Sequence, residues 1–241
     1  MVALKKVVPG KAATGRTAGR EIIVGVSGGS GAQLARRFVE VALASAGLAK
    51  LHLVLSDPAL DVARREMRAS IASPQDWIAT LGVPNPQRAR IVLHDNGNVG
   101  ASIASGSYPA SGMIVIPCSG GTLGSIAHGV GRDLLQRAAD VCLKERRPLV
   151  LAFRESPYSL VHVENMRAAT LAGAIVAPPT PAFYVASPTV ERMLDAYCIR
   201  AARLLGLEPR GEDFRWEGGD SGAGRPTKAE AQARPRRRLK R

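Results

Sequence analysis

The sequence predicts an α/β protein of the flavodoxin-like or Rossmann-like kind, a single domain on a doubly wound parallel sheet. Three observations carry this expectation. Short aliphatic runs alternate with longer segments whose apolar residues recur at helical spacing, the pattern of consecutive βα units. The strand runs are apolar without interruption, as strands covered on both faces are. Two of them run directly into glycine- and serine-rich turns that open helices.

The elements follow in order. Residues 22–26 (IIVGV) are too short for a helix of ordinary length and rich in β-branched side chains, so they predict the first strand. The turn Ser27-Gly28-Gly29-Ser30-Gly31 follows, and Leu34, Phe38, Val41 and Ala42 then recur at helical spacing. Such a turn aims backbone N–H groups and hydroxyls at the positive end of a helix, which makes an anion site. It is neither the G-x-G-x-x-G fingerprint, for want of a third glycine in place, nor a P-loop, for want of a Lys-Ser/Thr pair. A tight turn serving backbone geometry alone remains the plainer alternative.

Residues 51–56 (LHLVLS) predict a second strand, and 57–71 a helix with Ser56 or Asp57 at its cap and Pro58 in its first turn. A short helix near 75–81 and a strand at 89–93 (ARIVL) come next. Residues 94–112 are rich in Gly, Ser and Asn, too polar for core and too long for a simple connection, which predicts a binding or moving loop. The opening pattern then repeats: the strand in 113–122 (MIVIPCSGGT) runs into Cys118-Ser119-Gly120-Gly121-Thr122, with a helix from about Thr122. Strands are predicted at 148–153 and 174–179, and helices at 132–145, 159–172 and 188–206. Polar groups end four of the strands, at Ser27 to Ser30, Ser56, Ser119 to Thr122 and Arg154-Glu155. In an open α/β sheet these converge on one crevice.

Composition narrows the function classes. With 241 residues and 46% hydrophobic composition the chain can bury a substantial core. No apolar stretch approaches the ~20 residues that cross a bilayer, and the first 20 residues lack a signal-peptide core, so a cytoplasmic protein without a membrane span is expected. Cys118, Cys142 and Cys198 are few and widely spaced, which predicts core thiols rather than a disulfide framework or a zinc site. The net charge of +13 sits mostly at the ends: residues 1–20 carry five basic and no acidic residues, and 209–241 carry ten basic and five acidic. The body between them is nearly balanced, so nucleic acid is not an expected partner. The expected organisation is a basic N-terminal tail at 1–20, a ligand-binding domain at 21–208 and a disordered basic tail at 209–241.

The string RAADVCLKERRPLVLAFRESPYSLVHVENM, from Arg137, followed by GAIVAPPTPAFY up to Tyr184, closely resembles the flavin prenyltransferases of the UbiX type, once described as aromatic acid decarboxylases. The likeness extends from about Ile22 to Leu207. It implies transfer of a dimethylallyl group from dimethylallyl phosphate to N5 and C6 of reduced FMN. The prenylated FMN would pass to a UbiD-type decarboxylase. A homo-oligomer, commonly a dodecamer, and a metal-independent reaction are also implied.

Carried over by position, the resemblance assigns Gly28, Gly29, Ser30, Ser56, Ser119, Gly120, Gly121, Thr122 and Arg137 to FMN. It assigns Glu66, Lys144, Arg154 and Glu155 to the chemistry, and Tyr184 and Arg200, with Lys144 and Arg154, to dimethylallyl phosphate. The cations would hold the departing phosphate, Glu155 would take the ring proton and Glu66 would organise the site. The chain departs from the family pattern at Gly29, at Leu34-Ala35 and at Val99, where some members carry alanine, Tyr-Gly and tryptophan respectively. His128 and His162 are expected to pack rather than to ligate. Two other readings stay open at this point: an FMN carrier without catalysis, and a flavoprotein related to the flavin-dependent cysteine decarboxylases.

Overall fold

A computed structural model describes residues 19–185, 189–212 and 214. The predicted terminal tails lie almost wholly outside the described residues. β1 (Arg20–Val26) leads through the first glycine turn to α1 (Ala32–Ala44), then come β2 (Leu48–Leu55) and α2 (Asp57–Glu66). Two short helices, α3 (Pro74–Ala79) and α4 (Asn85–Arg88), precede β3 (Ile91–Asp95). A single 3₁₀ turn at Ser102–Ala104 interrupts the loop to β4 (Gly112–Cys118). The remaining elements are α5 (Gly120–Ala127), α6 (Leu134–Lys144), β5 (Leu149–Phe153), α7 (Leu160–Leu171), β6 (Ile175–Val176) and α8 (Val190–Leu204).

All six strands are parallel, in the order β3-β2-β1-β4-β5-β6. That is the Rossmann order, and it reverses between β1 and β4, where a crevice opens at the carboxyl ends. Alternate strand residues face opposite helical layers. Ile23, Met113, Val115, Leu149, Leu151 and Phe153 pack with Leu123 of α5 and Leu134, Leu135 and Cys142 of α6. The intervening Ile22, Val24, Ile114 and Val150 are equally buried on the other face, which α1 covers, with α8 packed on α1. The fully buried Phe38 is the largest apolar side chain that α1 contributes. Burial of such a side chain stabilises the fold by about 2–3 kcal/mol.

Several expected boundaries shift for identifiable reasons. β2 starts at Leu48 rather than residue 51. α2 ends at Glu66 rather than continuing to residue 71, and two residues on Arg68 takes a positive φ of 49°. α5 starts at Gly120, not Thr122, because the Ser119 hydroxyl is its cap. β6 is two residues long, since the prolines that follow cannot donate to a ladder. The segment 94–112 is not wholly outside the core. His94 and Asp95 extend β3, and Ile103 is buried to 1% exposure in the core cluster, against which Ala101, Ala104 and Tyr108 also pack. One apolar anchor in a polar stretch is invisible to average composition. All three cysteines are free, buried thiols, and burial pushes Cys142 up to about 12.

Candidate active site

Three helix N-termini open at adjacent strand ends. Ser56 caps α2 by accepting the Ala59 N–H at 3.3 Å, while its own N–H donates to the Val26 carbonyl at 3.0 Å. Ser119 caps α5, accepting the Thr122 N–H at 3.2 Å and donating to Thr122 Oγ1 at 3.0 Å. The buried Ser27 hydroxyl donates to the Pro117 carbonyl at 2.9 Å and accepts the Ser119 N–H at 2.8 Å. It therefore pins the end of β1 to the end of β4.

The first glycine turn is shaped by close packing. A Cβ on Gly28 would lie 2.5 Å from Pro58 Cβ, and Gly31 holds a φ of +129° that side chains rarely adopt. Glu66, at the end of α2, reaches back to this turn and accepts the N–H groups of Gly31 at 3.0 Å and Ala32 at 2.7 Å. Burial works to raise its pKa, but the Ser30 hydroxyl, the Ala32 and Gly31 amides and the Arg154 charge outweigh it, so the net shift is downward. The last two amides of the turn are occupied by Glu66, an anion supplied by the chain itself. Among the described residues the N–H groups of Gly28, Gly29 and Ser30 have no hydrogen-bond partner. These three donors at the switch point suit an anionic or carbonyl oxygen.

Several of the other expected residues follow the neighbouring strand ends. Gly120 and Gly121 form the first turn of α5, and a Cβ on Gly121 would meet nothing within 4 Å. Arg137 projects from α6, half exposed, with Nη1 4.0 Å from Asp140. Asn96 holds the start of α6 by accepting the Leu134 and Leu135 amides, at 2.9 and 3.0 Å, through its carbonyl and side chain. Arg154 and Glu155 are exposed just beyond β5, and the Glu155 carboxylate accepts the Ser156 N–H at 3.0 Å. Behind them Phe153 stacks on Tyr158 with ring centroids 5.7 Å apart, and His162 meets its edge. His162 also takes the Ser159 N–H on Nδ1, and His128 pairs with Asn165, so both rings have structural partners.

Tyr184 and Arg200 come together in a separate cleft of about 560 Å³ past β6, walled by Pro178, Pro181 and Tyr197. Tyr197 donates to the Ala177 carbonyl at 2.6 Å, fixing that wall to the sheet edge. Lys144 is the exception. It ends α6, which starts beside Asn96 at the crevice and runs back to the amino ends of the strands. There its ammonium pairs with Glu145 at 2.6 Å, beside Gly106. A helix of eleven residues is about 16 Å long, so one chain does not bring Lys144 to Arg154.

Sequence reasoning missed a second group. His52 and His94, on β2 and β3, share a hydrogen bond of 2.9 Å, and His94 lines a cleft of about 630 Å³ with Asp57, Asp95 and Asp133. The signal in the sequence was slight: one histidine inside an apolar strand and one directly after another. Among the described residues no group of three or more His, Cys, Asp or Glu is arranged to hold a metal ion, and no helix is long and apolar enough to cross a membrane.

Residues 11–189 match the family model described as Flavoprotein. The flavin prenyltransferase UbiX of Neisseria meningitidis serogroup B is 40% identical over 199 residues, covering 83% of this chain and 97% of that protein. Among solved structures, AnUbiX in complex with FMN and dimethylallyl pyrophosphate aligns with a TM-score of 0.67 and 35% identity, over 81% of this chain and all but 1% of its own. A dodecameric FMN-dependent UbiX-like decarboxylase from Escherichia coli O157:H7 aligns with a TM-score of 0.71 and 36% identity, over 82% of this chain and 100% of that one.

Proposed function

The chain belongs to the UbiX family of flavin prenyltransferases, and from that premise we propose that it moves a dimethylallyl group from dimethylallyl phosphate to N5 and C6 of reduced FMN. The observation that carries the reading onto this chain is the cradle of unpartnered Gly28, Gly29 and Ser30 amides beside Arg154. FMN supplies the nucleophilic ring on which the new bonds form.

The chain's own residues then have definable work. The Gly28–Ser30 amides, Ser56, the Ser119–Thr122 turn and Arg137 hold the flavin. Glu66 keeps the cradle in shape, since it fixes Ser30, Gly31 and Ala32 at once. Arg154, Arg200 and the Tyr184 hydroxyl take the departing phosphate, whose charge grows as its bond to carbon breaks. Glu155, exposed beside Arg154, takes the ring proton.

Lys144 can join this clamp only from another copy of the chain. A shared site fits the exposed apolar side chains Leu160, Val161 and Leu171 on α7 and Phe183 beyond it, 66–77% exposed in the single chain. We therefore extend the proposal to a closed homo-oligomer, with sites completed between copies. The 21–208 body carries the activity in a cytoplasmic enzyme, the basic tails are dispensable, and the product passes to a UbiD-type decarboxylase.

The test is anaerobic incubation with reduced FMN and dimethylallyl phosphate, followed by mass spectrometry of the released flavin. Gain of one prenyl group is expected. Tightly bound but unmodified FMN would overturn the reading in favour of a carrier.

A further inference from the structure

Glu21, at the amino end of β1, anchors a buried polar chain that crosses the edge of the sheet. Its Oε1 pairs with Lys50 at 3.0 Å, and its Oε2 receives the Tyr108 hydroxyl and lies 3.1 Å from His52 Nε2. Tyr108 Oη is also 3.0 Å from His52 Nε2. On the other side of the ring, His52 Nδ1 is 2.9 Å from His94 Nε2. His52 is 2% exposed, so its contacts to Glu21, Tyr108 and His94 are made on a ring shielded from bulk water, while Lys50 lies half-exposed at the outer end.

The carboxylate orients the near end of this chain. The Tyr108 hydroxyl, foremost, with His52 and Lys50, outweighs burial and holds Glu21 at about 2, so it is ionised and can only accept. Tyr108 gives it the hydroxyl proton. With a proton on Nε2 alone, His52 satisfies Glu21 and the Tyr108 oxygen there and presents Nδ1 as an acceptor. His94 must donate to it from Nε2, and Nδ1 of His94 is left with a lone pair. That nitrogen has no hydrogen-bond partner among the described residues, and His94 is one of the residues that line the 630 Å³ cleft at the carboxyl ends of β2 and β3.

We infer that the Glu21–His52–His94 chain sets the histidine tautomers so that His94 Nδ1 accepts a hydrogen bond from a donor group of the bound flavin. The flavin offers such donors in its ribityl hydroxyls and its imide N–H. The inference rests on the FMN reading above and adds a recognition residue outside the glycine turns. His52 from β2 is in contact with His94, and Asp57 from α2, Asp95 from β3 and Asp133 at the cap of α6 line the same cleft. These carboxylates accept hydrogen bonds only, so they cannot satisfy the lone pair on Nδ1. A second proton on His94 would turn Nδ1 from acceptor to donor, and binding should weaken as pH falls.

The test combines two readouts on the full-length protein. In flavin-free wild type at pH 8, nitrogen-15 NMR should find His94 protonated on Nε2 and bare on Nδ1; a proton on Nδ1 overturns the inference whether or not any variant folds. Flavin affinity, measured by fluorescence quenching, should fall roughly 3- to 10-fold in His94→Phe, the scale of one hydrogen bond. It should recover in His94→Asn, which keeps an acceptor near the Nδ1 position. Unchanged FMN affinity in a folded His94→Phe overturns the inference. Lumiflavin, which has the imide but no ribityl hydroxyls, separates the two donors: a loss that persists assigns the imide, and one that vanishes assigns a hydroxyl. Wild type that binds no FMN rejects the flavin reading itself, an outcome distinct from the others.

Discussion

The carboxylate of Glu66 caps helix α1 from outside it, accepting the Gly31 and Ala32 amides at 3.0 and 2.7 Å across 35 and 34 residues of sequence. A side chain from the end of one helix thus holds the start of another, and the turn between β1 and α1 is fixed from both sides.

Glu66→Ala leaves those two amides without their acceptor. The expected loss is about 1–2 kcal/mol, the cost of a lost cap, or roughly 2–8 °C in Tm for a chain of this size. Glu66→Gln keeps an oxygen acceptor and should recover most of it. Because the Glu66 pKa is lowered on folding, its contribution is present above the unfolded value of 4.5 and is lost as pH falls through the lower folded value. Calorimetry of wild type and Glu66→Gln from pH 7 to 3 should show the two converging in acid. A constant difference would mean that ionisation of Glu66 is immaterial.

Gly28→Ala places a methyl group 2.5 Å from Pro58 Cβ, a distance no real contact sustains. Either the turn or the start of α2 must shift, at about 1–3 kcal/mol. The chain should still fold and lose FMN affinity, because the displaced amides are those of the cradle. Retained affinity, measured by flavin fluorescence, would place the flavin elsewhere.

Glu155→Gln preserves shape but not basicity. FMN affinity should stay within about 2-fold of wild type while single-turnover product formation slows by roughly 10²-fold, the scale of a lost general base. Equal losses in affinity and rate would make Glu155 a binding residue instead.

Lys144→Ala and Arg154→Ala should each abolish turnover alone. Refolded or co-expressed as a mixture, they should regain roughly a quarter of wild-type activity, since a site built from two copies receives both native residues in about one of four random pairings. A mixture as inactive as its parents would show that Lys144 never completes a neighbour's site.

The alternation of apolar strands and helices, the Ser-Asp-Pro start of α2 and the Ser119 turn were legible because each signal is local and set by capping or burial. The residues flanking the crevice were legible because the parallel sheet puts every strand's carboxyl end on the same side. The position of Lys144 was obscured by treating it as a member of a motif, when the run of α6 back to the amino edge decides where its ammonium lies. The Glu66 cap depends on where α2 ends relative to the turn, a tertiary fact. The His52–His94 contact depends on register, because Val54 is the residue that pairs with His94 and the two histidines meet only on the diagonal.

Ser27 has a mechanical consequence. Its hydroxyl accepts from one glycine-rich turn's cap and donates to the strand leading into it, from a position only 2% exposed. Spreading the mouth between β1 and β4 would strip both bonds in a place water does not reach, at about 1–3 kcal/mol for each unsatisfied group. The gap between the two cradles therefore behaves as a fixed gauge. Whatever opening lets a flavin in and lets its enlarged product out falls to the far edge, where two-residue β6, the Ala177 amide on Leu151 and the Tyr197–Ala177 bond hold the start of the Pro178–Tyr184 wall to the sheet. Release would then be timed by that edge hinge, with the cradle as the stationary jaw.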